Sequence, residues 1–396
     1  MNSLLRMSLI SKGRPRGRLP ELEGLRGILA LWVVTAHAFC WVGWADLVQA
    51  APFRNLWIHF AHAQVAVCLF IVLSGFAIWN LLASRSQSWS SFMTGRVFRI
   101  YPVFLVALAL GILSSFIQRS LQTSLPWADD SYFPTLKAVT KSEESALGSH
   151  VLAHLFLLNG AIPSNWLPGS AGSILAPAWS LSLEWQFYLA APFLFALRRY
   201  WFVLVGLVGF SFLVVPYLTR FSNPQSAFLP VHLPLFGLGI TCAEIWRRID
   251  PTGPRLRLPL LLGSLAMVGL AAATRWNLPV VLLWLPLFGT AAGWWDWIRP
   301  SKWIRSTLTA GPVQWLGAVS YPLYLVHWPC LIFTLWACFL IRPDWKPGPL
   351  LACLLVTYLP ASLLAAWALH RWIELPGMAL GRRLQARTGE APAQGS

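Results

Sequence analysis

An all-α bundle of about ten membrane-spanning helices is the fold class the sequence predicts, and three observations carry it. Hydrophobic residues make up 57% of the chain and charged residues only 11%, against the roughly one quarter charged that is usual in soluble domains. The mean hydropathy is +0.59, so a chain of 396 residues with this composition cannot cover its own surface in water. Apolar runs of roughly 17–25 residues, the length a helix needs to cross a bilayer, recur from end to end.

Residues 1–20 form a basic leader containing Pro and Gly. It runs straight into a full-length apolar stretch, which reads as a retained first helix and not a cleaved signal peptide. The spans are then placed at 25–44, 61–83, 98–118, 177–197, 200–219, 229–246, 258–274, 278–295, 313–340 and 348–370. The one long polar connection, 119–176, carries Asp129, Asp130, Glu143 and Glu144 and is expected outside. Within it, 150–162 is too short to span and reads as re-entrant or interfacial. Residues 21–377 make one membrane domain, and 378–396 a polar cytoplasmic tail.

With the N-terminus in the cytoplasm, the inner segments collect 22 of the 30 Lys and Arg residues. That bias satisfies the positive-inside rule with both termini inside. The net charge of +16 therefore orients the protein among membrane lipids and does not imply a nucleic-acid partner. All six cysteines (Cys40, Cys68, Cys242, Cys330, Cys338, Cys353) fall in apolar runs without a CxxC pair, so neither a disulfide framework nor a thiolate metal site is predicted. His59 and His62 stand three apart, but zinc needs three or four ligands and no companion cluster appears; no metal is expected. No Gly-rich phosphate loop or GxSxG elbow is present.

Ionisable residues inside apolar runs are functional candidates, because hydrocarbon solvates them poorly. His37 lies in the middle of the first run. At about 1.5 Å of rise per residue it stands roughly 16 Å above Arg26, while Glu184 and His327 each stand roughly 21 Å above their inner helix ends. Three helices thus bring three ionisable groups to similar depth. A general base needs a partner to fix its tautomer and stabilise its charged form, and Glu184 is the expected partner of His37. The alternative for Glu184 is a buried hydrogen bond between helices. For His327 the readings are a structural residue or a contact to the acceptor. Arg96 and Arg99, three apart, share a helix face at the cytoplasmic mouth; their guanidinium forks suit phosphate oxygens, or else snorkel to lipid headgroups.

Six motifs recur in order: Glu23-Gly-Leu-Arg-Gly with His37; LFIVLSGF at 69–76; Arg96-Val-Phe-Arg99-Ile-Tyr-Pro; Trp179-Ser-Leu-Ser-Leu-Glu184-Trp-Gln-Phe-Tyr188; Ser320-Tyr-Pro-Leu-Tyr-Leu-Val-His327-Trp-Pro; and Arg371-Trp-Ile-Glu374-Leu-Pro376. Together they resemble the acyltransferase-3 family, integral membrane enzymes that O-acylate sugars, lipopolysaccharides and related envelope glycans of bacteria. The resemblance covers Leu19 to Pro376. Three departures bear on acceptor specificity: Glu23 stands for the usual aspartate, Ala66-Val67-Cys68 for Gly-Val-Asp, and Trp185 for a second acid.

The resemblance implies an enzyme of the bacterial inner membrane that moves an acyl group, expected to be acetyl, from cytoplasmic acyl-CoA to a hydroxyl of a sugar or lipid-linked glycan. No permanently bound cofactor is expected. His37 and Glu184 are the catalytic candidates. Arg96, Arg99, Arg26 and Tyr101 are assigned to the donor, and His327, Trp179 and Tyr188 to the acceptor. The rival is a non-enzymatic lipid or glycan transporter using the same intramembrane histidines and glutamate, although the paired broken helices of such folds are not seen. Oligomeric state is not legible.

Overall fold

A computed structural model of the chain describes residues 19–42, 63–84, 87–125, 134–200, 227–248, 278–295 and 298–387. Among these residues every regular element is helical and there is no strand. The elements are α1 (Pro20–Trp41), α2 (Gln64–Ser84), α3 (Trp89–Ser124), α4 (Pro134–Leu155), α5 (Ala178–Ala196), α6 (Leu229–Arg248), α7 (Leu278–Ala291), α8 (Arg299–Leu308), α9 (Gly311–Ile341), α10 (Pro347–Leu369) and α11 (Leu375–Arg387). A π-helical turn, His370–Glu374, joins α10 to α11.

Among the described residues, six stretches are long and apolar enough to cross a membrane: Pro20–Trp41, Gln64–Ser84, Trp89–Gln122, Leu229–Arg247, Gly311–Ile341 and Pro347–Arg387. The expected spans at 200–219 and 258–274 lie outside the described residues, as do His59 and His62, nearly all of the leader and the end of the tail. The expected span at 177–197 is the 19-residue helix α5. Of the expected span at 278–295, the structure describes α7, which ends at Ala291 before the chain turns through Gly293 at φ 78; the residues just before Leu278 lie outside the described residues.

Close helix contact in lipid relies on small residues that let backbones approach. A Cβ at Gly27 of α1 would lie 2.6 Å from the Gly317 backbone nitrogen of α9, and one at Gly24 would strike the Leu308 carbonyl. Gly75 of α2 and Gly239 of α6 meet the opposing backbones at Phe236 and Val72 in the same way. The tight α1–α9 crossing is what brings His37 and His327 together.

α3 is 36 residues long and begins earlier than expected, because Ser88 caps it by accepting from the Ser91 amide at 3.2 Å. Arg96 and Arg99 therefore sit two to three turns inside the helix. On the opposite side, α4 and residues 156–177 form a cap against the far half of α3. Glu143 in this cap accepts from the Ile174 amide at 2.6 Å and faces Arg119 at 3.7 Å.

Candidate functional site

Two imidazoles meet between α1 and α9. His327 Nε2 lies 3.1 Å from His37 Nδ1, with ring centroids 5.0 Å apart. His37 Nδ1 is also 2.9 Å from the Val33 carbonyl, and His327 Nδ1 is 3.1 Å from the Leu323 carbonyl. Carbonyl oxygens only accept, so both rings carry their proton on Nδ1 when neutral. His37 then donates from Nδ1, shared between Val33 and His327 Nε2, and its own Nε2 keeps a lone pair. His327 is fully buried and His37 half-buried. Trp328 packs edge-on against His37 at 5.4 Å.

One turn before His327, the Tyr324 hydroxyl lies 2.7 Å from Ser180 Oγ in the first turn of α5 and 3.3 Å from the Pro177 carbonyl. This contact fixes the height of α5, which runs antiparallel to α9. Glu184 is four residues past Ser180 and His327 three past Tyr324. The two steps place Glu184 about 10 Å nearer the inner end than the imidazole pair. The expected Glu184–His37 partnership is thus not the one the structure displays. Glu184 instead accepts from Ser74 Oγ at 3.1 Å and from the Tyr188 hydroxyl. The Arg96 guanidinium lies over the rings of Tyr188 and Phe92, at 5.7 and 5.8 Å, and its buried Nε has no hydrogen-bond partner.

Further inward, Arg99 pairs with Glu374 at 3.2 Å and touches Met378 Sδ at 3.2 Å. Glu374, fully buried in the π-helical turn, also takes His370 Nδ1 at 2.7 Å. Such turns are frequent at functional sites. Tyr101 packs edge-on against Trp185 at 5.5 Å and Phe104 at 6.1 Å, an aromatic packing role in this structure. Arg26 sits half-buried in the second turn of α1. Trp179, expected with His327 and Tyr188 at the acceptor, tilts against His232 of α6 at 6.0 Å. All six cysteines are free thiols, and among the described residues no group of three or more His, Cys, Asp or Glu is placed to hold a metal ion.

Sequence reasoning passed over Ser180 and Tyr324 as parts of this column, and placed Glu374 beside an arginine without naming Arg99. Tyr324 precedes His327 by three residues and Ser180 precedes Glu184 by four, the spacings that put polar groups on one helix face. Those spacings were the available signal.

A family model for an acyltransferase domain, acyltransferase-3, matches residues 19–371. The acyltransferase MdmB of Streptomyces mycarofaciens is 26% identical, over 95% of this chain and 96% of its own. The peptidoglycan O-acetyltransferase OatA of Listeria monocytogenes is 21% identical over 91% of this chain, which spans 56% of that longer protein. The exopolysaccharide production protein ExoZ of Rhizobium meliloti is 27% identical over 53% of this chain and 61% of its own. No solved structure matches the chain.

Proposed function

The chain belongs to the acyltransferase-3 family and is a multi-pass membrane O-acyltransferase; on that premise we propose that it acetylates a hydroxyl of an envelope glycan or lipid-linked sugar from cytoplasmic acetyl-CoA, in the bacterial inner membrane. Two relatives whose names specify peptidoglycan O-acetylation and exopolysaccharide production support the acceptor class. Family membership sets aside the non-enzymatic transporter.

The observation that carries the mechanism is His37 Nε2, left with its lone pair while Nδ1 is pinned by Val33 and His327. The acceptor hydroxyl attacks the thioester carbonyl as His37 Nε2 takes its proton. A C–O bond forms, the C–S bond breaks, and the proton returns from Nε2 to the leaving thiolate. Arg96 and Arg99 bind the donor's phosphates by charge-assisted hydrogen bonds. Glu184 orients this entry through Tyr188 and the neighbouring Arg96, so its work lies on the donor side.

Purified protein in lipid nanodiscs with radiolabelled acetyl-CoA and isolated envelope glycan tests the reading beside His37→Ala. A loss of about 10²–10⁴-fold in transfer is expected, the usual worth of a positioned base. Label transferred undiminished by the variant removes His37 from the chemistry.

A further inference from the structure

We propose that His327 is the positioning partner of His37, a neutral hydrogen-bond acceptor that aims the base and shares its charge as the acceptor proton arrives. The inference rests on His37 being the base. It assigns to an imidazole the role that a carboxylate fills in the familiar triads.

His327 Nδ1 donates to the Leu323 carbonyl on its own helix, which leaves His327 Nε2 as a lone pair aimed across the helix crossing. His37 Nδ1–H points at that lone pair from 3.1 Å. No other ring tautomer satisfies both carbonyls. When Nε2 of His37 gains the substrate proton, its Nδ1–H becomes a stronger donor, and the only nitrogen facing it is already an acceptor. The net proton count of His327 need not change.

Burial explains why an imidazole serves here. A carboxylate beside a neutral His37 would be an unpaired charge in a low-dielectric site between transmission of protons, a costly resting state. A neutral ring has no such cost, and it is polar enough to respond when His37 charges. Glu184, the nearest carboxylate considered, stands about 10 Å inward by the helix rises given above. The hydroxyls around the pair are engaged elsewhere: Tyr324 with Ser180 and Pro177, and Tyr358 of α10 with the Val34 carbonyl at 3.1 Å. The tight crossing at Gly27 and Gly317 supplies the rigidity a positioned base needs.

The test compares His327→Gln, whose amide oxygen still accepts, with His327→Leu, which cannot, in the same nanodisc assay beside His37→Ala. The expected result is a fall in kcat of about 10-fold for Gln and 100-fold or more for Leu, with KM for acetyl-CoA and for the glycan both held within about twofold. Partial rescue by Gln marks the accepting role. Wild-type kcat in both variants overturns the proposal, as does a loss confined to the glycan KM, which would make His327 an acceptor contact. Full activity in His37→Ala would fail the underlying base assignment instead, so the two failures are separable. Should the variants not fold, ¹⁵N-histidine NMR of the wild-type protein decides: unprotonated Nε2 on both rings is expected, and Nε2–H on either one overturns the pairing.

Discussion

Arg99 and Arg96 look equivalent in the sequence and are not equivalent in the fold. Arg99 has its charge met by Glu374, which also holds His370, whereas Arg96 lies over two aromatic rings with its Nε unmatched. Removing one partner of a buried ion pair strands the other, typically at about 3–5 kcal/mol, less where solvent screens it; the Arg99 side chain is 26% exposed. Arg99→Ala is therefore expected to lower the melting temperature in detergent by several degrees more than Arg96→Ala does. Arg96→Ala is expected to raise KM for acetyl-CoA about tenfold with a smaller change in kcat. Thermal-shift and steady-state kinetics read these separately, and equal melting points would refute the asymmetry. Three-residue spacing made the arginine pair legible beforehand. The carboxylate that distinguishes its members comes from the far end of the chain; the Arg-Trp-Ile-Glu motif suggests that Glu374 meets an arginine, and packing of α3 against the π-helical turn identifies that arginine as Arg99.

At the level of elements, hydropathy located the helix centres and misjudged several ends. The N-terminus of α3 is set by the Ser88 cap and a polar first turn, which a hydrophobic window discards. The depth of Glu184 depended on a tertiary bond, Ser180 to Tyr324, that no periodicity encodes. The tight crossing of α1 and α9 makes Gly27→Leu an expected loss of folded protein, seen as aggregation in size-exclusion chromatography, because the side chain meets backbone and not a movable neighbour. The cap around α4 offers a pH prediction. His154 is fully buried with Nδ1 donating to the His150 carbonyl at 2.8 Å, and burial holds its pKa down at about 4. The unfolded chain binds a proton at this ring below about 6.5 while the folded one stays neutral to about 4, so stability falls as pH drops across that window. The full effect is about 3 kcal/mol, as an order of magnitude. Glu143, pushed up by burial, opposes this only near the carboxylate range. Thermal unfolding at pH 4.5 is expected below that at pH 7.5, and His154→Phe is expected to flatten the difference.

On the scale of the whole molecule, the proposed reaction requires a donor entering from one side of the bilayer and a base held part-way across it. His37 stands about 25 Å along α1 from its start, beyond the Arg96 and Arg99 levels. By the positive-inside rule, the distribution of basic residues predicts that this column has its arginines toward the cytoplasm. The same rule predicts the α4 cap outside and α11, with Arg382, Arg383 and Arg387, inside. The expected orientation rests on composition alone, since charge bias acts on loops regardless of how helices pack; the span count depends on packing as well, and two expected spans lie beyond the described residues. The orientation can be tested in a background lacking the six native cysteines. Gly148→Cys projects into open space on the cap, and Ala386→Cys is exposed on α11. A membrane-impermeant maleimide applied to spheroplasts is expected to label the first and spare the second, with inverted vesicles giving the opposite pattern. Labelling of both from one face would place the cap and the C-terminal helix on the same side, leaving the arginine entry without its cytoplasmic donor.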